Sequence, residues 1–212
     1  MSKGQSRWKQ DFFAEVEEIR LKDPLSYILG AMDDGEEMVF CYTDAVKMAG
    51  HSCAAVSGAY KVTLEALKSL YGDDTPVRGD IKVTIKGKPT DLAYGPMSQV
   101  ISLITGAAPE TGFHGLGGRY GRYNLLNFDE DNFEFNTFIF ERIDTGKKVK
   151  VVYNPQALPE SPRMGEVAGA TMSGSASEAE REEFFSLWQG KVKKILLESD
   201  DYPGLLEITE LS

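Results

Sequence analysis

Cysteine and histidine are scarce in this chain, with two of each among 212 residues. Two cysteines make no disulfide framework of the kind that staples small secreted domains. Any transition metal bound through soft donors must draw them from Cys41, His51, Cys53 and His114. Long apolar runs are also missing, and none approaches the roughly 20 residues of a membrane-spanning helix. The start, Met1-Ser2-Lys3-Gly4-Gln5-Ser6-Arg7, leads into a charged stretch without the apolar core of a signal peptide. The expectation is a cytoplasmic protein with no membrane partner. Positive charge is in deficit: 23 Lys and Arg against 33 Asp and Glu leave a net charge of −10. That balance opposes approach to nucleic acid or an anionic surface, so no nucleic-acid partner is expected. There is no Gly-Lys-Ser/Thr phosphate loop, and no Gly-x-Ser-x-Gly nucleophile elbow.

What is present is enough for a core. The chain is 42% hydrophobic, and its length fits one substantial domain with embellishments. Residues 8–22 place Trp8, Phe12, Val16 and Ile19 at helical spacing and predict an amphipathic helix, stopped by Asp23-Pro24. Residues 25–31 carry no clear signal, and Met38–Tyr42 reads as a strand or a helix entry. The clearest helix is Cys53–Tyr71, whose Val56, Tyr60, Leu64, Leu67 and Tyr71 form one apolar stripe. Beside that stripe, Ala54, Ala55, Gly58 and Ala59 would admit another backbone unusually close. Ile81, Val83 and Ile85 alternate as a half-buried strand. Gly95-Pro96 opens a helix that buries Met97, Val100, Ile101 and Ile104 and stops at Gly106. Strands are expected at Phe133–Phe140 and Lys148–Tyr153, and a last helix at Ser177–Leu197 with Ser177 as its cap. The expected organisation is a core over residues 1–155, a Pro/Gly/Ser-rich linker or loop at 156–176, and a helical extension at 177–212. The fold class that follows is α+β: a mixed β-sheet packed against a few helices.

Two segments could carry chemistry. In Gly50-His51-Ser52-Cys53 the donors are two residues apart, so they converge only where the backbone is not yet helical, which is where they lie. A thiol at a helix start meets unsatisfied N–H groups that favour its thiolate, suiting a metal ligand or a nucleophile. Against that, a buried cysteine is usually a small hydrophobe, and Cys41 reads more readily as core than as a ligand. The second segment runs from Thr111 to Arg122. Its Gly115-x-Gly117 has Tyr120 in place of the third glycine of a dinucleotide fingerprint. It offers His114 on a flexible backbone with two arginines, Arg119 and Arg122, whose forked donors suit an anionic substrate group. A surface loop whose arginines pair with nearby carboxylates is the competing reading.

Ala49-Gly50-His51-Ser52-Cys53-Ala54-Ala55-Val56-Ser57-Gly58-Ala59-Tyr60 resembles the FmdE-like family, named after a component of formylmethanofuran dehydrogenase. That family carries Phe-His-Gly-His-x-Cys-Pro-Gly followed by a small-residue helix. The resemblance spans about residues 40–155 and continues through the Ile81–Ile85 strand, Thr105-Gly106 and the Gly117–Arg122 turn. It implies an α+β fold, often dimeric, and makes His51 and Cys53 metal-ligand candidates. The departures are specific. Ala49 stands at the family's first His and Ala54 at its Pro, while Pro96 and Gln99 fall where a Cys and an Asp are often found. A zinc ion, or another transition metal, is expected on His51 and Cys53, with His114 added as a substitute for a lost ligand. Three such ligands would leave a position for water or a small-molecule substrate. Cys41 as fourth ligand would instead close the site. A metal-free small-molecule-binding or accessory protein on the same fold is the alternative, and a Cys53 nucleophile with a histidine base is a third.

Overall fold

The structure is a computed structural model and describes residues 6–211. A 3-10 turn at Asp11–Glu15 leads into β1 (Ile19–Lys22), α1 (Pro24–Ile28), β2 (Glu37–Phe40), α2 (Tyr42–Ala49) and α3 (Ala54–Tyr71). Then follow β3 (Ile81–Ile85), α4 (Tyr94–Thr105), β4 (Leu126–Phe128), β5 (Thr137–Arg142) and β6 (Lys148–Tyr153). The chain continues through α5 (Met164–Ser173) and α6 (Glu178–Leu197) to β7 (Leu206–Leu211). The class is α+β, as the sequence predicts. A five-stranded sheet has the order β4-β3-β5-β6-β7. Only the β3–β4 pair is parallel, so the sheet is mixed. β1 and β2 form a separate antiparallel pair with Ile19 opposite Phe40.

One face of the sheet is covered. Along β6 buried and half-exposed residues alternate, with Val149, Val151 and Tyr153 inward and Lys148 and Lys150 outward. β3 does the same with Ile81, Val83 and Ile85. This is the alternation of strands that pack a single face, with the polar residues left in water. The helix laid on that face is α3, packed against β5, β6 and β7 and flanked by α2, α4 and α6. All five residues of its predicted stripe are buried. Each large aliphatic side chain removed from water there contributes about 1.5–3 kcal/mol. The small residues of α3 admit a side chain, not a second backbone. A Cβ on Gly58 would stand 2.3 Å from Tyr153 Cε1, and the Tyr153 hydroxyl donates to Ala54 O at 2.8 Å.

Four expectations need correction. The strand expected at Phe133–Phe140 starts only at Thr137, where Phe138 and Phe140 are buried while Phe133 and Phe135 are exposed. The helix predicted over 8–22 does not form, because Ile19 and Leu21 are buried on alternate residues and pair with β2 as a strand, leaving only the 3-10 turn before them. The segment 156–176 is not merely a linker. It contains α5, which packs on α6 through buried Val167 and ends at Gly174 in the left-handed region (φ 76°). The extension at 177–212 is more than helical, since β7 pairs with β6 and completes the sheet. α6 itself begins as predicted. Ser177 caps it in a capping box with Glu180. No helix among the described residues is long and apolar enough to cross a membrane.

Candidate functional site

Asp23 is the organising residue of the candidate site. It sits just ahead of Pro24, where the chain must leave extended geometry to begin α1, and its Oδ1 accepts from Leu25 N and Ser26 N at 3.0 and 3.3 Å. The same carboxylate receives two guanidiniums, Arg78 Nη1 at 2.9 Å and Arg122 Nη2 at 2.7 Å. Its side chain is only 4% exposed. Burial opposes ionisation. The Arg78 bond, the charges of Arg122 and Arg78 and the Ser26 N–H outweigh it, so the carboxyl is held below the usual carboxylate range. Arg78 is fixed further by donating to Ile104 O and Leu103 O, each at 3.1 Å.

Arg122 lies in a cradle that only glycine provides. A Cβ on Gly79 would stand 2.5 Å from its Nη1, and one on Gly106 only 2.4 Å away. Nη1 is buried and has no hydrogen-bond partner among the described residues. Burial pulls the Arg122 pKa down, and the Asp23 charge and hydrogen bond act against it. Its expected role as a direct substrate contact is therefore not what its geometry favours: one arm is committed to Asp23 and the other is enclosed.

The glycine-rich segment is an ordered hairpin, where the sequence suggests a flexible loop. Ala108 N donates to Arg122 O at 2.9 Å, Arg122 N to Phe113 O at 2.7 Å, and Leu116 and Arg119 exchange both backbone bonds. Between them Gly117 and Gly118 both have positive φ (56° and 74°), as a tight hairpin turn requires. Arg119 therefore projects from a rigid base. Its guanidinium lies 5.2 Å from the centre of the Tyr120 ring, and no carboxylate among the described residues pairs with it. Arg78, Arg119 and Arg122 line one cavity of about 340 Å³ together with Asp80, Tyr120, Leu125 and Ile143. Asp80 makes no side-chain hydrogen bond or ion pair within the described chain. Asp80 is exposed at the cavity rim, and desolvation by the surrounding wall followed by the charge of Asp144 raises its pKa, against the pull of Arg122.

The expected metal ligands lie elsewhere and are not assembled. His51 is exposed in the connection between α2 and α3, with Nδ1 3.0 Å from Ala49 O. Cys53 is half-buried at the N-cap of α3 and makes no side-chain capping bond. Its neighbours are tyrosines. The Tyr42 hydroxyl meets Ser52 Oγ at 2.8 Å, and burial raises the pKa of both Tyr42 and Tyr153, with Cys53 adding to each. His114 is on the hairpin, stacked on Tyr123 with ring centroids 4.7 Å apart. Cys41 is not core. It is the half-buried N-cap of α2, its thiol facing Glu18 Oε1 at 3.6 Å, and burial followed by the Glu18 and Asp44 charges pushes its pKa up. Among the described residues no three His, Cys, Asp or Glu side chains stand together in a way that could hold an ion. His51 and Cys53 alone do not make the three-ligand site expected with His114.

Sequence reasoning missed Asp23, Arg78 and Asp80. Asp23-Pro24 is legible as punctuation, and Arg78-Gly79-Asp80 as a polar turn ahead of a strand. Nothing in either says that they meet Arg122.

No family model matches the chain, and no curated protein matches it. Among solved structures, the chain is similar to a tungsten formylmethanofuran dehydrogenase FmdE-like protein from Syntrophus aciditrophicus, at 14% identity and a TM-score of 0.41. The match covers 82% of this chain and 73% of that one.

Proposed function

We propose that this chain binds a small molecule bearing an oxyanion in the cavity under the 108–122 hairpin, with Arg119 as the residue that meets it. One observation carries this reading: three guanidiniums line a single cavity, and only two of them have a carboxylate partner, the one they share. Arg78 and Arg122 share Asp23, whereas Arg119 has no carboxylate partner among the described residues. With Asp80 added, three positive groups face two negative ones, a local positive excess in a chain of net charge −10. Arg78 and Arg122 supply field and a fixed wall, and Arg119 supplies free, forked donors. The volume lies at the lower end of small-molecule sites, which run from about 300 to 1,000 Å³.

Isothermal titration at low ionic strength with inorganic phosphate, sulfate, acetate and citrate tests this. Binding of at least one anion is expected, weakened about tenfold or more in Arg119→Ala, with the melting temperature of the unliganded protein retained. Added salt weakens it further, because the site is exposed at Arg119. A folded wild-type protein that binds none of these anions overturns the reading.

A second reading concerns the metal. His51 turns Nδ1 toward a backbone carbonyl, and its Nε2 meets no partner among the described residues, the arrangement in which a ligating histidine is held by its second nitrogen. In that reading a zinc or related ion sits on His51 and Cys53, with its other ligands from outside the chain. Elemental analysis of the wild type and Cys53→Ser decides it.

A further inference from the structure

Two exposed groups of opposite charge, Arg119 and Asp80, line the same cavity without forming an ion pair with each other, although Asp80 also feels the charge of Arg122. Arg119 stands over Tyr120 without a carboxylate, and Asp80 carries a carboxyl group without a donor among the described residues. Exposed opposite charges gain little by pairing in water, so both remain available to a ligand. Here the hairpin fixes the Arg119 backbone through the Leu116 bonds, and the Asp80 backbone is tied by Asp80 N to Val77 O at 3.1 Å and Ile143 N to Asp80 O at 2.9 Å. Both backbones are thus fixed, and the two side chains share no hydrogen bond or ion pair among the described residues. Pro24, Leu125 and Ile143 supply apolar surface on the same cavity.

We infer that the ligand of this cavity is a small zwitterion, its oxyanion on Arg119 and its ammonium on Asp80, the two joined by a short aliphatic spacer. The inference rests on the anion-binding reading above and adds the second charge. The guanidinium gives the oxyanion charge-assisted, paired donors, and the carboxylate gives the ammonium the acceptor it requires. A cation beside Asp80 also offsets the desolvation and the Asp144 charge that disfavour its ionised form. A plain anion would leave Asp80 facing a like charge. A plain cation would meet three guanidiniums.

The test is a matched series titrated into the wild type, Asp80→Asn and Arg119→Ala, each checked for folding by circular dichroism. The probes are β-alanine, propanoate and propylamine, and phosphoethanolamine, ethyl phosphate and ethanolamine. In the wild type the zwitterion of at least one series is expected to bind about tenfold more tightly than its matched anion, and the matched amine not at all. Asp80→Asn should bring zwitterion and anion to within about twofold of each other, and Arg119→Ala should weaken both. If anions bind but zwitterions gain nothing, or the gain survives in Asp80→Asn, the zwitterion inference is overturned and anion binding stands. If no probe binds to folded wild type, both fall.

Discussion

Arg122 Nη2 reaches Asp23 Oδ1 at 2.7 Å although 99 residues separate them in the chain. The contact fastens the glycine-rich hairpin to the cap of α1, and Arg78 joins it on the other carboxylate oxygen. The buried centre is therefore a carboxylate with two guanidiniums, and the consequences of breaking it are unequal. Removing Asp23 strands Arg122 in a site where it is only 6% exposed. Breaking a buried pair in this way costs about 3–5 kcal/mol. Removing Arg122 leaves Asp23 still neutralised by Arg78. Asp23→Ala is accordingly expected to lower stability more than Arg122→Ala in urea unfolding. The reverse order would show that filling the Gly79–Gly106 cradle matters more than the charge.

Gly58 gives a prediction of opposite sign to helix propensity. Replacing glycine by alanine inside a helix normally gains up to about 1 kcal/mol. Here the added methyl would stand 2.3 Å from the Tyr153 ring, and that ring is fully buried and anchored on Ala54 O. Gly58→Ala is expected to destabilise by about 1–3 kcal/mol, the range for overpacking. On a Tyr153→Leu background the same substitution should become neutral or stabilising. Equal effects on both backgrounds would remove the ring contact as the cause.

The two carboxyls of the site should respond to pH with opposite signs. The folded-state pKa of Asp23 is lowered, so its contribution is complete above the unfolded value of about 3.9 and is lost as pH falls through the folded value. That of Asp80 is raised, so its neutral form is the favoured one, and its contribution is lost as pH rises through the folded value. Urea midpoints of the wild type, Asp23→Asn and Asp80→Asn, followed from about pH 7 down to about pH 3, separate the two. Asp23→Asn should be destabilised near neutrality, with the gap closing below about pH 4. Asp80→Asn should equal or exceed the wild type near neutrality and lose any advantage in acid. A gap for Asp23→Asn that stays constant with pH would assign its effect to packing.

What the sequence makes legible follows from how local each signal is. α3 and α4 carry their own stripes and glycine stops and α6 its Ser177 capping box, and each lies where its residues place it. The helix expected over 8–22 fails because the spacing of Phe12, Val16 and Ile19 fits a helix, while Ile19 and Leu21 also fit a strand and β2 is there to pair with. α5 hides because Gly165, Gly169 and the surrounding Pro, Ser and Met read as loop, and its stability comes from α6. The site divides the same way. Arg119 and Arg122 are visible as anion-seeking residues on a glycine-rich turn. Which of them is spent inside the protein depends on Asp23, and no local pattern reports a partner that distant.

The metal reading makes the last prediction. Structural zinc takes four protein ligands and catalytic zinc three, and the closed sites hold the fold together. His51 and Cys53 are two, and the surrounding fold does not lean on a metal. Trp188 Nε1 donates to Ser52 O at 2.9 Å, Tyr42 meets Ser52 Oγ, and α3 is held by its buried stripe. Zinc bound there is therefore expected to be exchangeable. Dialysis against a chelator should leave well under one zinc per chain by elemental mass spectrometry, and the melting temperature should not move. His51→Ala and Cys53→Ser should likewise leave the melt unchanged while lowering zinc uptake on re-addition. If instead one zinc per chain survives the chelator, and its loss in Cys53→Ser unfolds the protein, further donors must complete the site, and the metal becomes the primary function of this segment.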